Sequence, residues 1–124
     1  MTIEAEAREV MFAYERATRS KDFDNVAPLL HPDAFYRFND GDHRGLDELR
    51  GAFVATWKNI RDEVYEISDV SPIVWNNDLV SVSYVFKWSG IVDGAPAMGS
   101  GRGFNTLTRG ADGRLKIWNE ILTA

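Results

Sequence analysis

The chain has 124 residues, 44% of them hydrophobic and 27% charged, the composition of a globular domain able to bury one core without staples. It has no cysteine, which excludes disulfides, thiol chemistry and zinc sites of the cysteine type, and which fits a reducing, cytoplasmic setting. The net charge is -5 with the basic residues scattered, so nothing favours nucleic acid, and no apolar run approaches the roughly 20 residues of a membrane span.

The first residues are acidic and helical in pattern, unlike a secretory signal. Ile3 to Ser20 is predicted as a helix, because Ile3, Ala7, Val10, Met11, Tyr14 and Ala17 recur at spacings of three and four. Thr2 is placed to cap it. Asp22 is placed to cap a second, short helix with Val26, Leu29 and Leu30 inward. His31-Pro32-Asp33 stops that helix, since the residue before proline is pushed out of the helical region. His31 itself takes a capping or dipole role there. Ala34 to Asp40 reads as a short strand, and 41–45 as a loop in which His43 is solvated. Leu46 to about Ile60 is a third helix, with Leu46, Leu49, Phe53, Trp57 and Ile60 on one side.

The period then changes to two. Glu63 to Ser71 is one strand, and Ile73 to Trp75 turns through Asn76-Asn77-Asp78 into Leu79 to Ser89. In that second strand Val80, Val82, Tyr84, Phe86 and Trp88 share a face. Asp93-Gly94-Ala95-Pro96 makes the next turn. The last hairpin, Met98 to Ala124, closes at Gly110-Ala111-Asp112-Gly113. Plain alternation puts Trp118 and Glu120 on the inner face and Ile117 and Ile121 on the outer one. A four-residue turn sets Asn105 opposite Trp118 and Gly103 opposite Glu120, where the glycine leaves room for a ligand or water.

Helices first and long strands after give an α+β fold over one domain, 1–124: three N-terminal helices packed in a curved, mixed but mostly antiparallel sheet. A sheet curled round a long helix leaves a cone-shaped cavity. Glu120 is the only carboxylate on the inner face of the last strand, where desolvation raises a carboxyl toward the general acid-base range. The competing reading is an exposed or arginine-paired glutamate. Tyr14 is either an ordinary core tyrosine or a cavity donor. Asn105 sits on a strand, where asparagine is disfavoured, and needs partners if buried. Asp40 is a turn residue near the cavity mouth or a substitute base. Phe38, Phe53, Trp57, Trp88 and Trp118 form an aromatic wall suited to a flat apolar ligand, or simply a core. Two histidines without cysteine make no metal site, and no cofactor motif is present; 99–103 (GSGRG) enters a strand, so it lacks the helix N-terminus of a phosphate loop.

KDFDNVAPLLHPDA at 21–34, GLDELR at 45–50 and DGRLKI at 112–117, with the element order, make the chain resemble the NTF2-like superfamily, which includes ketosteroid isomerases and SnoaL-like polyketide cyclases. The resemblance implies the cone-shaped fold and association as a homodimer. It also aligns Tyr14 with the oxyanion tyrosine of ketosteroid isomerase. Asn105 falls at the protonated aspartate, whose donor role an amide keeps at any pH, and Phe38 falls at the base, where phenylalanine cannot take a proton. Two functions are therefore expected as alternatives. One is a cofactor-independent isomerase, cyclase or lyase on a small apolar cyclic substrate, with Glu120 or Asp40 moving the proton and Tyr14 and Asn105 holding the oxyanion. The other is a non-catalytic ligand-binding or dimerisation module. Phe104, Thr106, Ile117 and Ile121 are expected on an outer face covered by a second copy.

Overall fold

A computed structural model describes residues 1–124. Helix α1 spans Ile3–Arg19, and the Thr2 hydroxyl accepts the Ala5 N–H at 3.2 Å, as a cap should. Ala7, Met11, Tyr14 and Thr18, one residue per turn, are its buried stripe. Phe12 is exposed on the other side, outside the aromatic interior. Helix α2 (Phe23–Val26) is capped by Asp22, which accepts the Asp24 N–H at 2.9 Å.

The chain then tightens through a 3-10 turn, Ala27–Leu29, and enters strand β1 (Leu30–Phe38). The strand therefore starts four residues before the predicted Ala34, and His31-Pro32-Asp33 lies inside it. Pro32 is tolerated because the β1–β6 register is irregular between Leu30 and Phe35, where no ladder bond needs its missing N–H. The expected loop at 41–45 is a short edge strand, β2 (Gly41–Arg44), paired with β1 and held by Arg37 on Asp42 at 2.8 and 3.0 Å. Helix α3 (Leu46–Asn59) follows, and Glu48 accepts the Arg44 N–H at 2.9 Å ahead of its first turn.

Four long strands complete the sheet: β3 (Arg61–Trp75), β4 (Leu79–Val92), β5 (Ala95–Arg109) and β6 (Leu115–Thr123). Their order is β2-β1-β6-β5-β4-β3, with β1 parallel to β6 and every other pair antiparallel. The β4–β5 turn is only Asp93-Gly94, both at positive φ, so Ala95 and Pro96 already belong to β5. Register breaks in β3, with Asp62 and Asp69 at φ 54 and 55, bend this strand toward α1. Helix α1 and the residues just past it cover the free edge of β3: Arg8 donates to the Val70 carbonyl, Arg19 to that of Tyr65 and Lys21 to that of Glu63, while Glu15 accepts the Ile67 N–H. An exposed edge is thus spent on the helix rather than left open to another chain.

The last hairpin departs from plain alternation twice. Arg109 pairs with Leu115, so the turn holds five residues, Gly110–Arg114, and every side chain after it changes face. Ile117 is consequently fully buried rather than on the outer surface. A bulge at Trp118-Asn119 then adds a residue, and Glu120 comes back to the inner face. Asn119 repairs the ladder there by accepting the Thr106 N–H on its side chain at 2.8 Å. Trp118 ends 41% exposed on the outer face, beside the His31 ring at 5.7 Å, not beside Glu120.

Candidate functional site

The core fills one end of the cone, and a cavity of about 450 Å³ remains at the other. Tyr14 and Thr18 of α1 line one side, Phe53, Thr56 and Trp57 of α3 another. Glu63, Tyr65, Phe86 and Trp88 supply the wall from β3 and β4, and Glu120 and Leu122 the wall from β6. Phe38, Asn39 and Asp40 sit where β1 turns into β2, and Asp40 is exposed at the rim. The Phe53 and Trp57 rings stack, 5.7 Å apart and 11° from parallel, and Tyr36 meets Phe53 edge-on at 6.0 Å.

A glycine ladder seats Phe86 and Trp88 in the cavity wall and Tyr84 behind it. Tyr84 lies opposite Gly103, Phe86 opposite Gly101 and Trp88 opposite Gly99. A Cβ on Gly99 or Gly103 would run into the ring across from it, and one on Gly101 would meet the Thr123 carbonyl first and then the Phe86 ring. Gly103 therefore makes room for Tyr84, not for a ligand beside Glu120, whose actual partner across the hairpin is Asn105.

Glu120 is 2% exposed and is met by three donors. Tyr84 donates to Oε1 at 2.9 Å, Asn105 Nδ2 to Oε1 at 3.1 Å and Tyr14 to Oε2 at 3.4 Å. Tyr36 in turn donates to the Tyr14 oxygen at 2.9 Å, so a line of hydroxyls points at the carboxylate. No cationic side chain pairs with it. Burial pushes its carboxyl up and the three donors pull it back, leaving it at about 7. Tyr14, Tyr36 and Tyr84 are all held well above the ordinary phenol range, by burial first and by the Glu120 charge second. Their protons stay on at neutral pH, and they act as donors. A carboxyl that is half-ionised near neutrality and reaches a largely apolar cavity can take a proton from a ligand and return it.

The structure thus brings Tyr14, Glu120, Phe38, Phe53, Trp57, Trp88 and Asp40 to one cavity. It leaves Trp118 outside. Asn105 is buried behind Glu120: its Nδ2 donates to Glu120 and to the Met11 sulfur at 3.7 Å, and its Oδ1, 2.9 Å from the Tyr84 hydroxyl, competes with Glu120 for that single proton. It steadies the carboxylate and offers nothing to an oxyanion in the cavity. His31 accepts the Asp33 N–H at 3.0 Å, and His43 is half-buried against Phe38 rather than solvated. Tyr36, Tyr65, Thr18 and Glu63 were missed, and Tyr84 was expected on the shared face of β4 but not as a partner of Glu120. Period two from Phe38 would have pointed Tyr36 inward, and period two from Tyr65 would have done so for Glu63. No group of three His, Asp or Glu is placed to hold a metal ion, and no helix is long and apolar enough to cross a membrane.

Residues 12–118 match the family described as SnoaL-like domain. Among solved structures, an NTF2-like superfamily protein from Salmonella enterica serovar Typhimurium superposes with TM-score 0.90 at 12% identity, over 98% of this chain and 90% of that one. A ketosteroid isomerase-like protein from Erwinia carotovora atroseptica gives 0.81 at 18% identity, covering 95% and 92%. A Nostoc punctiforme protein of unknown function with a cystatin-like fold gives 0.82 at 18%, covering 95% and 87%. At these identities the three speak for the fold alone. No curated protein matches the chain.

Proposed function

The chain belongs to the SnoaL-like domain family and has the fold of an NTF2-like superfamily protein, and on that premise we propose that it is, as one domain, a cofactor-independent acid-base enzyme for a small, flat, mostly apolar cyclic substrate. The observation that carries this reading is Glu120: buried, free of any cation, open to the cavity and held at about 7. The carboxylate takes a proton from a carbon or hydroxyl of the ligand, charge moves onto the ligand's oxygen, and the same carboxyl returns the proton elsewhere. Once Glu120 is protonated, the Tyr14 hydroxyl, with Tyr36 behind it, is released to donate to that oxygen. Phe38, Phe53, Trp57 and Trp88 hold the ring. Asp40 stands exposed at the rim as a secondary proton carrier.

A second reading, a ligand-binding module without chemistry, is favoured by Phe38, an apolar side chain at the position where the resemblance expects a base. The two separate in one experiment. Cyclic ketones and phenols that raise the melting temperature are incubated with protein in heavy water, and exchange at the ketone α-carbon is followed by NMR. The enzyme reading expects exchange that falls at least a hundredfold in Glu120→Gln. Binding without exchange leaves the module; no binding by any of them defeats both.

The proposal includes a homodimer through the outer sheet face. Val64, Met98, Phe104 and Trp118 are all exposed there, an apolar set that a two-fold copy would cover.

A further inference from the structure

The proton-transfer mechanism leaves two polar groups in the cavity wall unused, Thr18 and Glu63. Both are more than nine-tenths buried, at 6% and 8% exposure, and both line the same cavity as Glu120. The Thr18 hydroxyl has no hydrogen-bond partner. A threonine inside a helix ordinarily turns its hydroxyl back on the carbonyl four residues earlier, here that of Tyr14, and this one does not. No ion pair or hydrogen bond holds the Glu63 carboxylate, whose oxygens, unlike that of Thr18, are not wholly shut in; Lys21 bonds its backbone carbonyl instead. The contacts of Arg19 and Lys21 with β3 draw the end of α1 onto the start of that strand, bringing both residues to the cavity wall. Thr18 follows Tyr14 on the same helix face by one turn, about 6 Å along the axis.

We propose that Thr18 and Glu63 form a second polar subsite that accepts a hydroxyl or amine at the far end of the ligand. The ligand is then a ring compound with two polar ends: an oxygen at Tyr14 and Glu120, and a hydrogen-bond donor one ring-width away. Burial raises the Glu63 carboxyl and Lys21 draws it back, and in either protonation state it accepts a bond from such a donor. This subsite rests on reading the cavity as a ligand site but not on catalysis.

The test compares para-cresol with hydroquinone by calorimetry; the pair differs only in a methyl replaced by a hydroxyl. In the native chain hydroquinone binds about tenfold tighter, the worth of one hydrogen bond. In Thr18→Val and in Glu63→Leu the ratio falls to about one. Thr18→Val also melts a few degrees higher without ligand, because it removes an unpartnered buried hydroxyl, so loss of the preference cannot be laid to unfolding. Equal affinities in the native chain with para-cresol still bound, or a preference that survives both substitutions, overturn the subsite and leave the cavity reading standing. If neither compound binds, the cavity reading falls and the subsite with it.

Discussion

Two opposed forces set the state of Glu120: burial resists its charge, and Tyr14, Tyr84 and Asn105 welcome it. Burial wins, since the folded chain holds the carboxyl at about 7 against the ordinary 4.5. The folded state therefore keeps a proton that the unfolded state has released. Its contribution to stability is full below the unfolded value and is lost as pH rises through 7, a change of about 3 kcal/mol. Glu120→Gln removes that titration. The expectation is a variant that melts above the native chain at pH 8, with the gap closing toward pH 5, followed by circular dichroism. The tryptophans separate in the same way. Trp57 stacks on Phe53 at the cavity wall, so Trp57→Ala should weaken a bound aromatic about tenfold, the worth of one stacked ring. Trp118→Ala should leave that affinity unchanged, because Trp118 lies outside on the His31 ring.

At the scale of elements, the β4–β5 ladder decides the cavity's shape. Three aromatics on β4 each lie across a glycine of β5. Gly103→Ala would overlap the Tyr84 ring, cost about 2 kcal/mol and pull Tyr84 from Glu120; denaturant melts and the pH profile of binding would register the two effects. The GSGRG stretch carries this ladder in the sequence, because the two-residue Asp93-Gly94 turn sets its glycines against Tyr84, Phe86 and Trp88. Helix α1 with its cap, helix α3 and the inner face of β4 were all legible, because a sustained period and a capping side chain are local signals. β2 was not, since Gly41–Arg44 is short and half-exposed and carries no pattern of its own; its ladder with β1 is joined by the Arg37–Asp42 contact. The last strand was read with Glu120 inward and the wrong neighbours. One added turn residue and one bulge residue reverse a strand's faces twice. Glu120 survived both reversals, while Ile117 and Trp118 exchanged sides after the first. Asn119→Ala, which strips the bulge of its bond to Thr106, should cost about 1 kcal/mol and loosen Glu120 as well.

For the molecule as a whole, one side of the sheet is closed and the other is not. Helix α1 covers the inner face and, with Lys21 just past its end, caps the β3 edge through Arg8, Glu15 and Arg19, whereas the outer face leaves Phe104 and Trp118 in water. Sedimentation at micromolar concentration should give a dimer, and Phe104→Arg should return a folded monomer. The closed side matters more for function, for it withdraws a carboxylate from water and leaves it facing a cavity. The titration of Glu120 itself tests that most directly. In the full chain with glutamate labelled at the side-chain carboxyl carbon, and Glu120→Gln to assign the signal, the resonance should move with a midpoint near pH 7. A midpoint near 4.5, that of an ordinary glutamate, would contradict the buried acid-base group and with it the enzyme.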